Sequence, residues 1–177
     1  MLIVSPGCCG RNTSVLSSMR AYQDRFYYLL MDETDIVTGR HLKKIPKAVA
    51  EICEGLKKKP SVVMICITCV DALLGTDMER VCHKAEEYAG VPVRPCYMYA
   101  LTREGRKPPM VHVRQSVYSL LEPKKKKGNV VNLLGYFSPL TDDCELYDLL
   151  HGAGVKTIHE ISRCKDYAQY QLSLIHI

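Results

Sequence analysis

No stretch of this 177-residue chain reaches the ~18 consecutive apolar residues that a membrane-spanning helix requires. The opening residues, MLIVSPGCCG, hold a three-residue apolar stretch with no basic segment before it, which does not make a signal peptide. There is no G-x-G-x-x-G and no P-loop, so nucleotide binding has no motif behind it. Two lysine runs, Lys57–Lys59 and Lys124–Lys127, carry much of the net charge of +5. Neither is interleaved with aromatic residues, so the footprint of a nucleic-acid contact is missing and both read as solvated loops. These absences lead to the expectation of a cytoplasmic protein with reduced thiols and no nucleic-acid or membrane partner.

What is present is an apolar fraction of 47%, enough for a buried core, and nine cysteines. They stand at positions 8, 9, 53, 66, 69, 82, 96, 144 and 164. An odd count in a chain that can already build a core argues against a disulfide framework. Free cysteine also packs as a small hydrophobe, and thiolates ligate metals.

Short apolar runs alternate with amphipathic ones. Residues 2–4, SVVMICI (61–67), VPVRPCY (91–97), NVVNLLGY (129–136) and VKTIHEI (155–161) read as strands, while RFYYLLMD (25–32) fits strand or helix. Within 41–57, Leu42, Ile45, Val49, Ile52 and Leu56 share one helical face. Thr76 and Glu79 form a capping-box pattern for a helix over 77–89. Val113, Val117, Leu120 and Leu121 mark another helix. Asp142 and Glu145 open a fourth, which Gly152 and Gly154 end. The fold class is therefore α/β, with parallel, Rossmann-like sheets flanked by helices. Residues 1–123 form a first α/β domain, 124–128 a linker, and 129–171 the start of a second. A permitted back-translation of the last six residues, LSLIHI (172–177), resembles a transposon end used in sequencing-library preparation, and they are set apart from the fold as an expected cloning or assembly scar. A strand beginning at residue 2 makes Met1 an abrupt start, and the chain reads as a fragment.

In an α/β sheet, ligands bind outside the carboxyl ends of the strands. Two stretches place cysteine there, VSPGCCGR (4–11) and ICITCVDALLGTD (65–77), so Cys8 or Cys9 could meet Cys66 or Cys69. Cys66 lies within its strand and reads as core. A single C-x-x-C lacks the second pair of a zinc site, and as the close of a strand it lacks the helix-start position of a thioredoxin-like pair. Cys53, Cys82 and Cys144 read as packing residues on helices, while Cys96 and Cys164 stay open. The scattered histidines, among them His41, His83, His112, His151 and His159, form no metal pair. Arg103 and Glu104 sit on a loop after the third strand and read as a solvated turn.

The stretch TCVDALLGTDMERV resembles the motif around a cluster-ligating cysteine in nitrogenase component 1 proteins, with Thr68, Cys69, Leu73, Leu74, Gly75, Asp77 and Met78 in register. DETDIVTGRHLKKI (32–45) resembles the family's E-x-D-I-V-F-G-G-x-x-K-L segment. SPGCCGR resembles its glycine-proline-cysteine turn, and VVNLLGYFSPLTDDCELYDLLHGAGV (130–155) the start of its second α/β domain. The resemblance implies an iron–sulfur cluster shared with a related or identical partner subunit, with Cys69 and Cys9 as this chain's ligands; Cys8 takes the place of Cys9 if the Gly-Cys pair is aligned instead. It also implies an ATP-dependent iron–sulfur reductase as electron donor. The leading expectation is an oxidoreductase subunit relaying low-potential electrons. The alternatives are a non-catalytic scaffold for assembly of a nitrogenase-type metallocofactor and a plain α/β ligand-binding module with packing cysteines. Thr76-Asp77 departs from the family's Asp-Asp, and no residues here correspond to the family's first ligating cysteine.

Overall fold

The computed structural model describes residues 2–5, 14–15, 18–19, 23–97, 109–122, 129–135 and 138–172. The chain divides into two compact units, Met1–Val117 and Tyr118–Ile177. Residues 123–128, where the linker is expected, lie outside the described residues.

The first unit is built on a four-stranded sheet of β1 (Leu2–Ser5), β2 (Tyr27–Leu30), β3 (Val63–Ile67) and β4 (Val93–Tyr97). Every pairing is parallel, and the spatial order is β2-β1-β3-β4. The ambiguous run 25–32 is thus resolved as a strand. Helices α1 (Glu33–Thr38) and α2 (His41–Gly55) lead from β2 to β3, and α3 (Cys69–Leu73) and α4 (Met78–Ala89) from β3 to β4. Helix α5 (Pro109–Tyr118) follows. The core forms where the inner faces of α2 and α4 meet the central strands: Ile45, Val49 and Cys53 pack with Val63, Ile65, Met78, Cys82, Ala85 and Val93. Of the periodic positions read over 41–57, Ile45 and Val49 are buried here and Ile52 packs against them, whereas Leu42 and Leu56 stay half-buried outside the cluster and Cys53 joins it in their place.

Two short helices of this unit, α1 and α3, went unforeseen. Helix α1 is opened by Asp32, whose side chain accepts from the Asp35 amide, and closed by Gly39 at φ 66, a conformation that suits glycine. Helix α3 is a single turn. Asp77, not Thr76, caps α4 by accepting from the Arg80 amide at 3.1 Å. The Thr76 amide instead donates to the Asp71 carbonyl at 3.0 Å, closing the turn after α3 and moving the cap one residue on. Glu79 is free of a box role and accepts from the Tyr97 hydroxyl at 3.2 Å.

The second unit pairs β5 (Val130–Leu133) with β6 (Thr157–Glu160) in parallel through α6 (Glu145–Gly152), and α7 (Tyr167–Leu172) follows. Cys144, rather than Asp142, holds the cap position of α6 and makes no side-chain cap bond. Asp142 is drawn away by Arg163, at 2.7 Å.

Candidate functional site

The order β2-β1-β3-β4 sends the chain to one side of β1 and then back across it, so the topological switch point lies between β1 and β3. In open parallel sheets the crevice beyond that point is where ligands sit. Val4 pairs with Ile67, so both strands end at the same edge. Beyond Ile67 come Thr68 and then Cys69, the first residue of α3, which is half-buried. Beyond Ser5 comes the stretch with Cys8 and Cys9, which lies outside the described residues. Four residues reach at most ~14 Å and neighbouring strands lie ~4.8 Å apart, so chain length permits Cys9 to approach Cys69.

The structure separates the two cysteines of the C-x-x-C. Cys66 is buried in β3, level with Ile3 and Cys96 on the flanking strands. Cys69 begins a helix instead of ending the strand, and it alone of the pair stands at the edge. Cys53, Cys82 and Cys96 are buried. Burial pushes all three thiols up, Cys82 to about 12, so they are packing groups. Cys144 and Cys164 are half-buried in the second unit, the latter donating to the Glu160 carbonyl at 3.7 Å. Arg103 and Glu104 lie outside the described residues.

Asp71, two residues after Cys69 on α3, belongs to a polar arrangement that the scattered histidines did not announce. His41 and Asp71 are both buried, with His41 Nε2 3.4 Å from Asp71 Oδ1. His41 Nδ1 lies 2.9 Å from the Asp35 carbonyl, which can only accept, so Nδ1 carries a proton. Asp35 is itself buried; the Lys44 ammonium at 2.6 Å holds its carboxyl below the usual range, with Arg40 at 3.6 Å. Burial pushes the Asp71 carboxyl up, against the pull of His41. The amides of Thr68 and of Asp71 itself also favour the carboxylate, yet neither reaches hydrogen-bond geometry. The sequence held one signal for this: His41 precedes Ile45 and Val49 by four and eight residues, on the apolar face of α2.

Iron–sulfur clusters are held by cysteine thiolates, typically four. Cys69 is one half-buried thiol at this edge. Among the described residues no three His, Cys, Asp or Glu side chains converge into a metal site. The donor chemistry fits one share of a cluster whose other ligands come from elsewhere.

The family model described as Nitrogenase component 1 type Oxidoreductase matches residues 1–172. The chain belongs to this family. The nitrogenase iron-molybdenum cofactor biosynthesis protein NifE of Rhizobium meliloti (strain 1021) is 32% identical over 127 residues, covering 70% of this chain and 26% of that protein. NifE of Rhodobacter capsulatus is 27% identical over 180 residues, covering 97% of this chain and 37% of that protein. The nitrogenase molybdenum-iron protein alpha chain of Methanosarcina barkeri is 42% identical over a shorter stretch of 65 residues, 37% of this chain. Among solved structures, "Nitrogenase Cp1 at pH 6.5" superposes with a TM-score of 0.65 at 20% identity, covering 97% of this chain and 35% of that one. This agrees with the nitrogenase component 1-like α/β fold. The chain thus spans about a quarter to about a third of the length of these NifE relatives and of the solved chain.

Proposed function

We propose that this nitrogenase component 1-like chain is part of a scaffold on which a nitrogenase-type metallocofactor is assembled. It holds an iron–sulfur cluster jointly with a related or identical subunit, and Cys69 and Cys9 are its ligands. The observation that carries the reading is the place of Cys69, the half-buried thiol at the switch point, beside the strand that leads to Cys9. The scaffold role is supported by relatives named as iron-molybdenum cofactor biosynthesis proteins, which match most of the chain. When bound, the cluster supplies a sulfide-bridged iron centre that takes up and releases single electrons. Cys69 contributes a thiolate to it. Leu73 and Leu74, 73% and 51% exposed, follow Cys69 and give the edge an apolar lip suited to a second subunit.

A second reading, electron relay from an ATP-dependent iron–sulfur reductase, draws on the likeness to the Methanosarcina barkeri alpha chain. One experiment separates the two. The full-length protein, purified anaerobically with its partner and loaded, is mixed either with cofactor-free nitrogenase component 1 or with the reductase, ATP and candidate substrates. The scaffold reading expects activation of the recipient and no sustained reduction by the protein itself. Sustained, ATP-dependent reduction without transfer would overturn it in favour of the relay.

A further inference from the structure

Helix α3 is too short to hold itself. Five residues close barely one turn, and helices of this length have no independent stability in water. Its apolar residues are not the buried ones: Leu73 is exposed, Cys69, Val70 and Ala72 are half-buried, and the one buried residue of the helix is Asp71. The side chain that the turn buries in the unit is therefore a carboxylate in contact with a buried histidine of another helix. The His41 ring is itself held by a hydrogen bond to the Asp35 carbonyl, so its 3.4 Å contact with the Asp71 carboxylate ties the turn to a fixed point.

We propose that His41 and Asp71 are positioning residues that clamp α3 and thereby fix the Cys69 sulfur at the sheet edge; the inference rests on the reading of Cys69 as a cluster ligand. The clamp runs through three elements. The carbonyl of Asp35, in the first turn of α1, sets the His41 ring through Nδ1 at 2.9 Å. His41 then presents Nε2 to Asp71 at 3.4 Å. Asp71 fixes the turn from both ends of the residue, since its carbonyl also accepts from the Thr76 amide at 3.0 Å. Cys69 lies two residues upstream on the same turn. Any rotation of α3 that carries Asp71 away from His41 also moves the sulfur. Partners that orient a metal ligand from behind are worth roughly 10–100-fold in metal affinity.

The test uses the full-length protein with its partner subunit, handled anaerobically. The variants are His41→Leu, Asp71→Leu, the two combined, and the conservative His41→Gln and Asp71→Asn, with Cys69→Ser as control. The combined apolar variant leaves no buried charge unpaired and so keeps the fold testable. Two readouts are taken: the rate at which iodoacetamide alkylates Cys69 in the metal-free protein, followed by peptide mass spectrometry, and the EPR line shape and iron affinity after reconstitution with ferrous iron and sulfide. The clamp predicts a severalfold change in alkylation, a shifted EPR signal and roughly tenfold weaker iron binding in the combined variant. It also predicts recovery toward wild type in His41→Gln and Asp71→Asn. A folded combined variant with wild-type alkylation, spectrum and iron affinity overturns it. Should Cys69→Ser leave the iron content unchanged, the ligand reading fails separately, and the alkylation rate alone decides the clamp.

Discussion

Asp71 and Glu160 are both buried carboxylates near strand ends, one in each unit, and they are treated in opposite ways. Glu160 accepts from the Leu140 amide, the Tyr147 and Ser162 hydroxyls and Arg163 Nε, all at 2.5–2.8 Å. Burial alone would raise its carboxyl, but these donors prevail and hold it at about 2. The Asp71 carboxylate accepts no hydrogen bond among the described residues and has the His41 contact at 3.4 Å. Glu160 is a satisfied corner, tying β6 to the loop before α6. Asp71 is under-satisfied, and such groups persist where the surroundings over-determine them, which is a mark of functional positions. A buried charge with four donors tolerates the loss of one; a buried charge with one partner does not.

The contrast can be broken experimentally at several points. The largest effect is expected from His41→Leu, which strands Asp71 and should cost about 3–5 kcal/mol in denaturant unfolding of the full-length protein, with much of it regained when Asp71→Leu is added. A loss no greater than that of a surface substitution would dissolve the contrast. Next comes Glu160→Gln, expected to cost about 1.5–3 kcal/mol through weakened charge-assisted bonds. It carries a pH signature as well. Because the folded value of about 2 lies below the unfolded carboxylate range, the Glu160 contribution is complete above pH ~4.5 and is lost as pH falls toward about 2. The Gln variant should therefore show a flatter loss of stability across that window, and an acid profile identical to wild type would contradict this. The smallest effect is expected from Ser162→Ala, about 0.5–1.5 kcal/mol, because the other donors remain on Glu160. Melting of the two proteins side by side suffices to measure it.

Much of the fold was legible because long periodic runs declare themselves. Strands β3 and β4 and helices α2 and α4 lie where their spacing places them, since each must bury one face. Helices α1 and α3 were not legible, as one or two turns are too short to establish a period. The cap of α4 fell to Asp77 and not to Thr76, because Thr76 still belongs to the local turn that its amide closes onto the Asp71 carbonyl, and composition does not reveal where such a turn ends. At the site, Cys66 could be assigned to the core from its place inside a continuous apolar run. Cys69 drew its importance from the family resemblance more than from its spacing. The His41–Asp71 contact joins residues thirty positions apart, and only the sheet order brings them together.

The most direct test of the central claim is EPR with iron and sulfide analysis of the full-length protein and its partner, wild type against Cys69→Ser, purified anaerobically. A cluster signal present in wild type, with signal and iron both lost from the variant, is the expected result. Equal iron and an unchanged signal in the variant would contradict the assignment of Cys69.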